Sequence, residues 1–343
     1  MTRSVFRFPV VGILGLFVSS GLLARADEES RVTGTAVKEL KGDPPPAPAG
    51  FKKPDDVKTA LLAGTLKPIN IRGPIPDDAE YTEGIEYGEA EGKSLQLDMY
   101  RPKNLTKKVP ALIFIHGGGW KQGKRSDYRY HCLRFAKRGY VVTSVSYRLV
   151  QDEPFPAAIQ DVKCAVRWLR ANAAKYNVDP DKLAVLGGSA GGHLSMMVGY
   201  SSDVPELEGS GGNPGVSSRV QAVVNFYGPT DLTTEYARKH DVVRGFFANK
   251  SYEEVPEQYR LASPMTHVTS DDPPTLIFQG TIDELVPVEQ ADMLAKKLEQ
   301  VGVPYVYDRL AGWPHSMDLA QNVNDHCCWY IEHFLDRYLP LPQ

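Results

Sequence analysis

Gly187-Gly188-Ser189-Ala190-Gly191-Gly192 follows the apolar run Leu183-Ala184-Val185-Leu186 and leads into a helical stretch. A serine in a Gly-x-Ser-x-Gly turn between a buried strand and a helix is lifted clear of the backbone, with the helix N-terminus aimed at it. Such a turn is sharp, so a side chain at Gly187 or Gly191 would collide with neighbouring backbone. A phosphate-binding loop is the rival, but no Gly-Lys-Ser/Thr follows. Upstream, the apolar run 111–115 enters His116-Gly117-Gly118-Gly119-Trp120. Successive glycines leave N–H groups unobstructed, free to face a developing oxyanion, although a plain flexible turn has the same composition. The candidate donors are the N–H groups of Gly118, Gly119 and Ala190. Together the two motifs suit acyl transfer through a serine nucleophile.

A serine hydroxyl attacks well only when a base takes its proton and an acid orients that base. Around an elbow of this type the chain order is serine, acid, histidine. Past the apolar run 275–278 comes Gly280-Thr281-Ile282-Asp283, which puts a carboxylate just beyond a strand end. Asp283 is therefore the candidate acid, with Glu284 and then Asp308 as alternatives. His315 lies in Gly312-Trp313-Pro314-His315, a turn after the next strand. Among the other histidines, His131, His326 and His333 fall in helices, and His116, His193, His240 and His267 precede Asp283. His315 is the candidate base. Trp120 and Trp313 flank the expected oxyanion loop and base, and Tyr227 follows a strand end. All three are candidates to line and shorten an acyl pocket, with ordinary core packing as the alternative.

The elements that must position these groups follow from hydrophobic period. Runs at 111–115, 140–145, 183–186, 222–226 and 275–278 read as strands buried on both faces. Leu95, Leu97 and Met99 alternate with polar neighbours in a further strand, ended by Arg101-Pro102. Helices are expected over 126–138, 156–176, 190–200 and 288–301, the last closed by Gly302. A strand at 303–309 and an amphipathic helix at 318–338 complete the pattern. Alternation of strand and helix implies an α/β domain with a mainly parallel sheet. Residues 231–272 interrupt it, and are expected to form helices or loops over the sheet's carboxyl edge, where ligands bind.

The N-terminus has a different character. Arg3 and Arg7 precede an apolar run at 10–18, and Ala24-Arg25-Ala26 follows, the pattern of a secretory signal peptide cleaved after Ala26. The apolar run is short for a membrane anchor, so no stable membrane insertion is expected. Residues 27–83 read as a Pro-rich arm or linker, with five prolines between Asp43 and Asp56. Regular structure is expected from about Gly84, and the catalytic domain over 84–343. The 343 residues are 42% hydrophobic and 24% charged, which suits a sizeable core. A net charge of -3 gives no electrostatic case for nucleic acid. Cys132, Cys164, Cys327 and Cys328 match no zinc spacing. Export would permit disulfides but leaves their connectivity open, and Cys164 suits a buried free thiol.

From about Gly84 onward the chain resembles the α/β-hydrolase superfamily, nearest the hormone-sensitive-lipase-like and acetylxylan/feruloyl esterase group. The resemblance rests on His116 to Trp120, Ser146-Tyr147-Arg148-Leu149 with Pro154-Phe155-Pro156-Ala157, Gly187 to Gly192, Tyr227-Gly228-Pro229-Thr230-Asp231-Leu232 and Ser263-Pro264. It implies an α/β-hydrolase fold with a mainly parallel eight-stranded sheet and a serine carboxylesterase that needs no cofactor or metal. Gln279 departs from the group, which commonly has His before the Gly-x-x-Asp turn. The arm is unlike the two-helix cap of many hormone-sensitive-lipase relatives, which shifts the expectation toward secreted polysaccharide esterases. The expected substrate is a short-chain, acetyl-type ester, on an acetylated polysaccharide, met outside the cytoplasm or in the periplasm. Lipases or general carboxylesterases of the hormone-sensitive-lipase-like type, then prolyl-oligopeptidase-like peptidases and noncatalytic binding proteins, are the alternatives, and the oligomeric state stays open.

Overall fold

The computed structural model describes residues 29–71 and 73–343, so the signal peptide expected over 1–26 lies outside the described residues. In chain order the elements are β1 (Arg31–Thr33), α1 (Pro54–Leu62), β2 (Ala79–Ala90), β3 (Lys93–Pro102), β4 (Val109–Ile115) and α2 (Arg129–Arg138). They continue with β5 (Val141–Val145), α3 (Ala157–Ala171), β6 (Val178–Gly188), α4 (Ala190–Tyr200) and β7 (Ala222–Phe226). Four short helices follow: α5 (Glu235–Lys239), α6 (Asp241–Phe246), α7 (Pro256–Leu261) and α8 (Pro264–His267). The chain ends with β8 (Thr275–Gly280), α9 (Val288–Val301), β9 (Tyr305–Leu310) and α10 (Gln321–Tyr338).

The strands form one sheet in the order β1-β9-β8-β7-β6-β4-β5-β3-β2. From β5 to β9 every neighbouring pair is parallel, whereas β3 joins β5, β2 joins β3 and β1 joins β9 antiparallel. Strands β4, β5, β7, β8 and β9 are buried along their whole length, as their mainly apolar sequences suit when helices cover both faces. One core holds side chains of α3, α4 and α9, and the other those of α2 and α10. The chain leaves β4 toward β5 on one side and returns to β6 on the other. This reversal opens a crevice at the carboxyl ends of β4 and β6, where open α/β sheets bind ligands. The glycine loop follows β4 there, and Ser189 follows β6.

The sheet has one strand more than expected, because the segment read as an arm contributes β1. Three residues, Arg31 to Thr33, pair with Arg309 to Tyr307, with Val32 packed against the core, and so cover the β9 edge. Regular structure likewise begins before Gly84: α1 precedes it, and β2 starts at Ala79. Helices α4 and α9 have the expected bounds, and Gly302 closes α9 at φ 80°. Residues 231–272 carry α5 to α8.

Candidate active site

The turn between β6 and α4 is as tight as its glycines imply. A Cβ at Gly187 would lie 2.5 Å from the Gly191 carbonyl group, and one at Gly191 2.0 Å from the Ile115 oxygen. Ser189 sits at φ 58°, ψ -124°, a conformation that costs a non-glycine residue about 1–3 kcal/mol. It is held there by flanking structure: its N–H donates to the Phe226 oxygen at 2.9 Å, and its own carbonyl accepts from His193 at 3.0 Å.

His315 bridges the other two candidates. Its Nε2 is 2.9 Å from Ser189 Oγ, and its Nδ1 is 2.7 Å from Asp283 Oδ2. A carboxylate only accepts, so Nδ1 carries the hydrogen and Nε2 is left to accept from the serine hydroxyl. Asp283 is fixed in turn: Oδ1 accepts the N–H groups of Leu285 and Val286, each at 2.9 Å. Gln279 Nε2 donates to Oδ2 at 3.2 Å and to the Val286 carbonyl at 3.0 Å. Gln279 thus orients Asp283, a role its position just before the Gly-x-x-Asp turn signals only once the fold is known. The alternatives lie elsewhere, since Glu284 is exposed and Asp308 is buried against His326 Nε2 at 2.9 Å.

The glycine loop lies against the elbow. A Cβ at Gly117 would stand 3.3 Å from Ser189 Cβ and 2.7 Å from the Gly188 oxygen. Gly118 and Gly119 adopt φ 105° and 60°, and the Gly118 carbonyl turns away to accept from Lys121 and Gln122, both at 3.2 Å. Among the described residues, the N–H groups of Gly118, Gly119 and Ala190 have no protein acceptor. Ala190 opens α4, whose first amides are left unpaired by helix geometry.

The three aromatic candidates divide. Trp120 is 2% exposed; its Nε1–H donates to His193 Nδ1 at 3.3 Å, and its ring stacks on Phe246 at 4.5 Å. His193 donates onward to the Ala262 carbonyl at 2.7 Å, and burial lowers its pKa to about 4, so it stays neutral. Tyr227 lays its ring 4.6 Å from that of His315 and donates its hydroxyl to buried Asp318. Trp313 corrects the expectation, because it is fully buried and turned toward the N-terminal segment. Its indole N–H donates to the Pro48 carbonyl at 3.1 Å and its ring meets Phe51 edge-on at 5.4 Å, which leaves no surface for a substrate.

Elsewhere, Arg148 and Asp161 form a buried ion pair at 2.8 Å, and all four cysteines are buried free thiols. Among the described residues no group of three or more His, Cys, Asp or Glu is placed to hold a metal ion. No helix among them is long and apolar enough to cross a membrane.

The chain matches the BD-FAE family over residues 97–298. It is 38% identical to esterase LipC of Mycobacterium tuberculosis over 77% of this chain and 70% of LipC. A thermophilic esterase from Thermogutta terrifontis superposes with TM-score 0.67 at 27% identity, over 82% of this chain and 98% of its own. That esterase has also been solved with butyrate and with propionate bound. A truncated carbohydrate esterase from gut microbiota gives TM-score 0.67 at 27% identity, over 77% of this chain and all of its own. The chain belongs to the BD-FAE family and is a carboxylic ester hydrolase of the α/β-hydrolase fold.

Proposed function

We propose that this hydrolase is an exported serine esterase that removes acetyl-type groups from polysaccharides through an acyl-enzyme. The observation that carries the mechanism is His315 bridging Ser189 at 2.9 Å and Asp283 at 2.7 Å. Ser189 Oγ attacks the ester carbonyl while His315 Nε2 takes its proton, and the imidazolium is stabilised by Asp283. The Gly118, Gly119 and Ala190 amides face the oxyanion that develops, and their lack of protein acceptors supports that role. His315 returns the proton to the departing alcohol as its C–O bond breaks. A water, deprotonated by the same nitrogen, then cleaves the acyl-enzyme and releases the acid.

The preference for small acyl groups rests on what fills the space beside Gly119. Val242 Cγ1 lies 2.7 Å from where a Gly119 Cβ would be, and the Trp120–Phe246 stack is backed by Phe155 at 5.6 Å. Trp120 and Phe246, both buried, are packing behind the glycine loop, and the Tyr227 ring packs against His315. A cavity of about 360 Å³ borders the loop, lined by Gly117, Gly118, Gln122, Gly123, Lys124 and Asp127. Its amide, ammonium and carboxylate suit a hydroxylated leaving group better than a long acyl chain. The carbohydrate esterase and the butyrate- and propionate-bound relative agree with this choice.

The test is a series of p-nitrophenyl esters together with acetylated xylan. Turnover is expected to peak between acetate and butyrate and collapse by decanoate, with acetate released from the xylan. A maximum at decanoate or beyond, with interfacial activation on triglyceride emulsions, would make the enzyme a lipase. Export predicts a mature chain that begins at Asp27.

A further inference from the structure

We propose that residues 30–69 form a clamp that positions the base-bearing turn 311–321, with Phe51 as its principal positioning residue. The proposal rests on His315 being the general base. Contacts grip the turn on both sides of that residue. Upstream, Phe51 N–H donates to the Gly312 carbonyl at 2.7 Å, and Trp313 Nε1–H donates to Pro48 at 3.1 Å. The Ala311 N–H donates to Ser30 Oγ at 2.9 Å. Downstream, Ile69 N–H donates to the Leu319 carbonyl at 2.9 Å, Gln321 N–H to Lys67 at 2.8 Å, and Pro68 bridges Ala320.

The upstream contact is backbone on backbone. A Cβ at Gly50 would sit 2.0 Å from the Ala311 oxygen, and one at Gly312, itself at φ 72°, 2.6 Å from Phe51 N and O. Two glycines therefore face each other where any side chain would force the two segments apart. Across the turn from the clamp lies the acid. Gly312 N–H donates to Thr281 Oγ1 at 2.9 Å, Ile282 N–H to the Trp313 carbonyl at 3.2 Å, and a Gly280 Cβ would stand 2.0 Å from that same carbonyl. The turn is thus sandwiched between the acid-bearing turn and the N-terminal segment. Loss of the outer support frees it to shift relative to Ser189, and displacement of about 1 Å at a reacting group can cost 10²-fold in rate.

Phe51→Ala removes the edge-on contact with Trp313 while leaving Ser189, Asp283 and His315 in the chain. Turnover of p-nitrophenyl acetate by the full chain is expected to fall about 10- to 100-fold in kcat with KM within about twofold. Hydrogen exchange of residues 311–321 should accelerate, and Phe51→Tyr should restore both measurements. Should Phe51→Ala fail to fold, Phe51→Leu, which keeps most of the apolar volume, should still lower kcat several-fold. Gly50→Ala, whose Cβ would press on the Ala311 oxygen at 2.0 Å, perturbs the backbone contact itself and should lower kcat in the same way; folded Phe51→Ala and Gly50→Ala enzymes with kcat within twofold of wild type overturn the clamp. Ser189→Ala, measured alongside, separates the two claims: if it retained turnover, the site assignment would fall instead.

Discussion

Asp283→Asn is the sharpest perturbation of the proposed charge arrangement, because the structure fixes what the new amide would face. Oδ1 accepts two backbone N–H groups, from Leu285 and Val286, in a turn too short to move away. An asparagine that keeps its oxygen there points its NH₂ at His315 Nδ1 and at Gln279 Nε2, which now meet a donor in place of an acceptor. The imidazole escapes the clash by moving its hydrogen to Nε2, and Nε2 can then no longer take the Ser189 proton. Flipping the amide spares His315 but leaves two backbone donors unpaired, at about 1–3 kcal/mol each. The expected loss is about 10³- to 10⁴-fold in kcat, or about 4–5.5 kcal/mol of transition-state stabilisation. The assay is p-nitrophenyl acetate hydrolysis at saturating substrate, with circular dichroism to verify folding. A folded Asp283→Asn enzyme within tenfold of wild type, with Glu284→Gln losing activity instead, refutes the assignment.

Two further outcomes follow from packing and burial. Gly191→Ala would place a methyl 2.0 Å from a backbone oxygen of β4, so thermal denaturation should show about 3 kcal/mol or more of lost stability, together with lost turnover. Burial raises the Asp272 carboxyl from 3.8 to about 7, so the folded state keeps a proton that the unfolded chain releases. Wild-type stability therefore falls as pH rises from about 4 to about 7. Asp272→Asn should gain on wild type across that window and hold its advantage above it in urea titrations; an advantage that shrinks with rising pH would reverse the sign.

What the sequence made legible is what short-range chemistry dictates. The elbow, the glycine loop and the ends of α4 and α9 all depend on a few consecutive residues with one workable conformation. Asp283 and His315 stand out in the sequence because each follows a strand-like run, and parallel strands bring their carboxyl ends to one edge. The N-terminal segment was opaque for the opposite reason. The strand Arg31–Thr33 is three residues long with one inward side chain, Val32, and owes its conformation to the β9 edge more than 270 residues away in sequence. Trp313 illustrates a further limit. An aromatic beside a histidine turn suits a pocket wall or a buried plug equally, and only Pro48 and Phe51 decide between them. In the sequence Gln279 is a simple departure from a family preference; in the fold the turn brings its amide to Asp283.

The most direct test of the central claim is stoichiometric labelling by a fluorescent fluorophosphonate, with the modified residue located by peptide mapping. One label per chain on Ser189, abolished in Ser189→Ala and slowed at least about 10³-fold in Asp283→Asn, is the result the geometry requires. Labelling at another residue, or unchanged labelling and turnover in Ser189→Ala, would contradict it.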